Sequence, residues 1–186
     1  MVLQRAVFLD RDGTINEDAG FVTKPEQLRL IPYAAKAIAL LNEKYKVVVI
    51  TNQPMVGRGL CTEEDIKMIH HELLRQLSMQ DAKLDGIYAC FHHPIMGLGE
   101  YRQSCSCRKP MPGMILKAAD ELSLDLASSY MVGDKTSDIK AGLSAGLKTI
   151  LVKTGTAGND GFNDAVPDYV AEDLYHAAKI ILEKRI

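Results

Sequence analysis

The sequence predicts an α/β domain in which a parallel sheet is sandwiched between helix layers, and three observations carry that reading. Short β-rich runs alternate with longer amphipathic stretches, each short run closes on a polar or turn residue, and charged residues gather where the runs end. The runs Ala6-Val7-Phe8-Leu9, Val47-Val48-Val49-Ile50, Gly86-Ile87-Tyr88-Ala89, Tyr130-Met131-Val132 and Thr149-Ile150-Leu151-Val152 read as five core strands. Between and after them, Ala34 to Glu43, Glu63 to Met79, Gly113 to Leu122, Ser137 to Ala145 and Glu172 to Glu183 place apolar residues three and four apart, as amphipathic helices do. Thr62 with Asp65 three residues on forms an acidic N-cap box, and Pro112 suits a first helical position. This order demands right-handed crossovers between parallel strands, and such sheets bind ligands at the carboxyl ends of their strands.

Composition narrows the partners. The 186 residues fit one domain, residues 1–186, with a core of ordinary size. The net charge is −2, and the 22 basic and 24 acidic residues are mixed along the chain, leaving no basic block for a nucleic-acid backbone or an anionic membrane surface. Met1 to Asp10 contains no secretion-type apolar segment, and no run approaches the about 20 apolar residues of a membrane span. The expectation is a soluble, cytoplasmic protein acting on a small molecule, without nucleic acid, membrane or obligate protein partner. Four cysteines in that setting suggest reduced thiols or a metal site rather than disulfides.

The first strand run ends in Asp10-Arg11-Asp12-Gly13-Thr14, the second in Thr51-Asn52-Gln53, and the fourth in Gly133-Asp134-Lys135-Thr136-Ser137-Asp138. Carboxylates brought together repel one another unless a hard cation neutralises them, which favours Mg²⁺. Asp10 and Asp12 lie two apart, so on a continuing strand both side chains face one side, and Gly13 permits a sharp exit.

These segments resemble the four ordered motifs of the haloacid dehalogenase superfamily: Asp10 to Thr14, Thr51, Lys109 ahead of a helix, and Gly133-Asp134 with Asp138. The resemblance implies a Rossmann-like three-layer sandwich without a large cap domain, and a phosphatase. Asp10 is then the nucleophile and Asp12 the acid and base. Asp10 and Asp134, with the backbone carbonyl of Asp12, hold Mg²⁺, and Thr51 and Lys109 bind phosphoryl oxygens near the helix that follows Pro112. Asp138 takes a more distant place. Without that resemblance, Thr51 reads as a strand end and Lys109 as a surface charge.

A second signal follows the third strand run, where Cys90 and His92 form one close pair and Cys105 and Cys107 another. Two such pairs across a loop suit a closed tetrahedral Cys₃His zinc site of structural type. His93 competes with His92, and buried cysteines packing as small hydrophobes are the plainer alternative. Cys61 lies apart and reads as a free thiol.

Phe8 to Asn16, Thr51-Asn52-Gln53 with Arg58-Gly59, and Cys107-Arg108-Lys109-Pro110 with Pro112-Gly113-Met114 resemble the histidinol-phosphate phosphatase-related group of that superfamily, over nearly the whole chain. This implies a small sugar phosphate or histidinol phosphate as substrate. Phe91 stands where the group usually has proline, and Met55 where it usually has glycine. Three loops remain to select the substrate: Asn16 to Pro25, Pro54 to Leu60 and the zinc loop of residues 90–107. Thr51, Asn52, Gln53, Arg58, Arg108 and Lys109 are the candidate substrate contacts, the two arginines for a sugar or a second phosphate. Asp18, Gly20 and Phe21 are further candidates for the pocket wall, and Gly155 to Asn163 carries no assigned chemistry. A polynucleotide 3′-phosphatase fits poorly without a basic groove. A phospho-receiver would carry its aspartate where Cys90 stands, and a non-catalytic zinc module would leave the acidic cluster without a purpose.

Overall fold

The computed structural model describes residues 3–18, 20–161 and 165–183. Strand β1 (Ala6–Leu9) is buried along its whole length and lies at the centre of a six-stranded parallel sheet. Its neighbours are β2 (Lys46–Asn52) and β4 (Tyr130–Gly133), with β3 (Gly86–Cys90) beyond β2, and β5 (Lys148–Val152) then β6 (Tyr169–Ala171) beyond β4. The register sets Leu9 against Val49 on one side and Val132 on the other. The strand order reverses between β1 and β4, so the residues that follow these two strands emerge side by side at a switch point.

Alternate side chains of each strand serve opposite faces. Val7, Leu9, Val47 and Val49 pack with α1 (Ala34–Asn42), α3 (Glu63–Ser78) and α6 (Leu174–Glu183). Ala6, Phe8, Val48 and Ile50 pack with α4 (Gly113–Leu122) and with Ala141 of α5 (Thr136–Ser144). The three-layer sandwich expected from the strand and helix order is therefore present. Thr62 caps α3 reciprocally with Asp65, as the sequence suggests.

Several boundaries differ from the sequence reading. Pro112 is the N-cap of α4 rather than its first residue. Helix α6 starts at Leu174, because Glu172 comes directly off β6 and the Asp173 carboxylate accepts the amide of His176. A four-residue helix α2 (Pro54–Gly57) and the edge strand β6 went unread. β6 is three residues long, too short to show a period, and is fixed from outside by Asp168, which accepts the amide and hydroxyl of Thr149. Among the described residues no helix is long and apolar enough to cross a membrane. Met1, Val2, Ala19, Phe162 and Asn163, which fall within segments named above, lie outside the described residues.

Candidate active site and cysteine cluster

Asp10 follows β1 directly, its amide donating to Val132 O at 3.0 Å, and Asp134 follows β4. Asp138 sits one helical turn further on in α5. All three are buried, and an oxygen from each lies within 4.8 Å of the others. Lys109 reaches into this group: its ammonium lies 2.7 Å from Asp10 Oδ1 and 2.7 Å from Asp138 Oδ1, and donates to Ile50 O at 2.8 Å. Burial, followed by the neighbouring charge of Asp10, pushes the Asp134 carboxyl up to about 6. Burial pushes Asp138 up to about 7 against the pull of Lys109. Lys135 is held above the usual lysine range, because Asp10, Asp134, Asp18 and Asp138 outweigh its own burial.

This electrostatic pattern is that of a site short of positive charge. Asp134 Oδ2 accepts the amide and hydroxyl of Thr156, whereas its Oδ1 is buried with no hydrogen-bond partner. An oxygen-only donor set with one such orphaned carboxylate oxygen suits a hard divalent cation of the magnesium type. The surrounding backbone is pressed close. A Cβ on Gly13, whose φ is +85°, would stand 2.6 Å from Asp134 Oδ2, and one on Gly155 would stand 2.3 Å from the same atom.

Asp12 does not continue the strand. β1 ends at Leu9, and Asp12 lies in the turn that follows, bridged to Asn16. Its carboxylate is gripped by Arg11 Nε at 3.1 Å and Nη2 at 2.9 Å, by Asn16 Nδ2 at 2.9 Å and by Gln53 Nε2 at 2.7 Å. Burial works against ionisation here, but the Arg11 charge and these hydrogen bonds outweigh it and hold Asp12 below the usual carboxylate range. The Asp12 side chain stands outside the trio formed by Asp10, Asp134 and Asp138. Asp138, given only a distant place from sequence, belongs to that trio.

The other expected contacts divide. Thr51 is buried and its hydroxyl accepts from Gln53. Asn52 uses both ends of its amide on the backbone of Lys109, donating to its carbonyl and accepting its N–H. Gln53 holds Asp12, Thr51 and Arg11 at once. Asn52 and Gln53 thus position other groups of the site in addition to lying beside it. Arg58 lies over the Phe21 ring at 5.0 Å, and Arg108 donates to the carbonyl of His92 at 3.1 Å. A cleft of about 900 Å³ opens over these elements, with Asp12, Asp18, Phe21, Met55, Arg108 and Lys135 among its lining.

Sequence reasoning missed Thr156, which fixes Asp134, and Asp160, which accepts the amides of Thr136 and Ser137 at the start of α5. Both lie in the loop that carried no assigned chemistry, where closely spaced glycines at positive φ are the one visible signal. It also missed Lys135, paired with Asp18 at 3.3 Å across the cleft mouth.

Cys90, His92, Cys105 and Cys107 converge as the spacing predicts. The sulfurs of Cys90 and Cys105 are 3.6 Å apart, those of Cys105 and Cys107 3.1 Å, and His92 Nδ1 is 3.4 Å from Cys107 Sγ. Four soft ligands at these separations suit one tetrahedral ion of the zinc type. His93 is turned away, its Nδ1 accepting the amides of Ile95 and Met96, and Cys61 stands apart from the cluster.

A parallel sheet with a buried aspartate at the end of its first strand, a lysine bridging it to a further aspartate, and more carboxylate beside the next strand defines a hydrolase of the haloacid dehalogenase type. A family profile described as HAD-hydrolase-like matches residues 106–177. The D-glycero-beta-D-manno-heptose-1,7-bisphosphate 7-phosphatase of Yersinia pestis is 40% identical over 178 residues, covering 95% of this chain and 94% of that protein. The protein of the same name from Escherichia coli (strain K12) is 45% identical over 152 residues, covering 81% and 80% respectively. The crystal structure of D,D-heptose 1,7-bisphosphate phosphatase from B. bronchiseptica, complexed with magnesium and phosphate, superposes with a TM-score of 0.86 at 33% identity, over 98% of this chain and 100% of that one. The chain belongs to this heptose-bisphosphate phosphatase family within the haloacid dehalogenase hydrolases.

Proposed function

We propose that the chain is a cytoplasmic, magnesium-dependent phosphatase that removes the 7-phosphate of D-glycero-D-manno-heptose 1,7-bisphosphate and leaves the 1-phosphate, a step towards ADP-heptose. The observation that carries the chemistry is the buried Asp10–Lys109–Asp138 group beside Asp134; the near-complete match to named phosphatases supports the substrate.

Asp10 Oδ1 is held by Lys109, which leaves Oδ2 to attack phosphorus. The phosphoryl group moves to Asp10 as the bond to the sugar oxygen breaks, dividing one hard hydrolysis into two displacements. Asp12, a carboxylate in the free site, takes up a proton from solvent as the substrate phosphate binds beside it and raises its proton affinity. It gives that proton to the departing alkoxide and then takes one from the water that attacks the aspartyl phosphate. Inorganic phosphate leaves and Asp10 is restored. Asp10 and Asp134, together with the backbone carbonyl of Asp12, would hold Mg²⁺, with Asp138 beside them. Bound there, the ion supplies charge stabilisation for the transferring phosphoryl oxygens. Thr51 and Lys109 serve the same oxygens, and Arg108 and Arg58 face the sugar or its second phosphate. The four-ligand sulfur site holds zinc and fixes the loop that leads into Lys109.

The test is phosphate release from the heptose bisphosphate, histidinol phosphate and nucleotides, with magnesium present and each product identified by NMR. The heptose bisphosphate is expected to turn over fastest and to give the 1-phosphate. Faster histidinol phosphate turnover would move the function to that substrate, and no phosphate release from any of them would reject the phosphatase reading.

A further inference from the structure

Arg11 is wholly buried and lies between the cleft and helix α3. A guanidinium in that position needs a partner at each of its nitrogens, since a buried charge without partners is costly. Nε and Nη2 go to Asp12, and Nη2 also donates to Gln53 Oε1. Nη1 faces Nε2 of His70 at 3.3 Å. Arginine always donates, so Nε2 must be the acceptor and the ring must be neutral with its proton on Nδ1. The surroundings favour that state: burial first, then the charge of Arg11, pushes His70 down to about 4, while Asp12 pulls the other way and His71 adds to the depression. On the outer side His70 borders a groove with Lys67, His71 and Asp85.

Two of the Arg11 partners, Asp12 and Gln53, also bond each other. Asp12 is further tied to Asn16 and Gln53 to Thr51, so these partners anchor the guanidinium only to the turn after β1 and the end of β2. Among the described partners of Arg11, His70 is the one with no hydrogen bond to Asp12 or Gln53, and it rides on a helix whose Ile66, Ile69 and Leu73 are seated in the core. It is an outside reference point.

We propose that His70 is a positioning residue for the acid–base carboxylate: by accepting from Arg11 Nη1 it fixes the guanidinium plane and thereby the direction in which Asp12 faces the leaving oxygen. This rests on the acid–base reading of Asp12. Nothing in the sequence links residue 70 to residue 12, because the link runs through a buried side chain.

The experiment compares kcat/KM for the heptose bisphosphate, whose alkoxide must be protonated to leave, with that for p-nitrophenyl phosphate, whose phenolate leaves without a proton. His70→Ala is expected to lower the first by about tenfold or more and the second by less than about threefold. His70→Gln, whose side-chain oxygen can accept the same N–H, should recover most of the loss. If His70→Ala does not fold, His70→Leu fills the space without an acceptor and takes its place in the comparison. Asp12→Asn is the reference and should show the same leaving-group bias more strongly. Bias in Asp12→Asn with none in the His70 variants, equal losses on both substrates, or no recovery with Gln would each overturn the role of His70. Absence of bias in Asp12→Asn would overturn the Asp12 assignment and this proposal with it.

Discussion

The carboxylate group and the sulfur cluster are both ligand sites at one end of the sheet, yet they are built in opposite ways. Asp10, Asp134 and Asp138 come from positions far apart in the chain and are set by strand ends and a helix inside the fold. Cys90, His92, Cys105 and Cys107 come from one stretch, and only Cys90 belongs to a strand. The first site is shaped by the sheet and retains its geometry because the core retains its own. On the proposed reading the second relies on an ion to hold a long loop together, as small metal sites do. The two meet at Lys109, two residues past Cys107, whose ammonium enters the carboxylate group. The loop therefore delivers a charge that the sheet-built site requires.

The largest expected effect breaks the sheet-built site alone. Asp10→Asn should lower kcat by at least about 10³-fold while circular dichroism and thermal unfolding stay close to wild type, since the nucleophile is lost and the volume kept. Activity retained in Asp10→Asn would remove it from that role. A smaller but still large effect should come from the loop. Purified protein should contain about one zinc per chain, and Cys107→Ala should lose the metal and about 10- to 100-fold in kcat/KM by displacing Arg108 and Lys109. Metal analysis paired with kinetics checks this, and a zinc-free preparation of full activity would show that the loop needs no ion.

Arg108 sharpens the boundary between the sites, because it directly follows the sulfur loop and lines the cleft. Arg108→Ala should reduce turnover of the heptose bisphosphate about tenfold more than that of a sugar monophosphate, through loss of one charge-assisted contact. Equal losses on both substrates would assign Arg108 to the shared phosphoryl site or to the loop. The smallest effect concerns pH. The raised carboxyls of Asp134, at about 6, and Asp138, at about 7, contribute stability that is present below the ordinary carboxylate range and is lost as pH rises through those values. Magnesium should offset that loss, raising the melting temperature by about 3–5 °C at pH 7.5 and by less at pH 5. An equal shift at both pH values would show that the ion does not neutralise these groups.

What could be read without coordinates followed locality. The cysteine–histidine cluster, with His92 in it, was legible because each pair lies two residues apart, and the fold adds the reason that the competing His93 is left out: it turns into its own loop. Asp10, Asp134 and Lys109 were legible from their motifs at strand ends and ahead of a helix. β6 was not, because three residues at an exposed edge carry no period. The placing of Asp10 and Asp12 on one strand face failed because the chain turns immediately after Leu9.

By itself the sequence determined the alternation of strands and helices, and with it a parallel sheet whose strand ends bear aspartates, since hydrophobic period and turn chemistry are local properties. It also determined which donor types each cluster can offer, because donor chemistry belongs to the residue. Only the tertiary structure decided that Asp138 joins the carboxylate group, that Thr156 orients Asp134, that Gln53 and Asn52 hold other members of the site, and that His70 reaches Arg11. Those relations join elements tens of residues apart through buried hydrogen bonds. Their geometry depends on how helices seat on the sheet, a matter of packing that no local pattern of residues encodes.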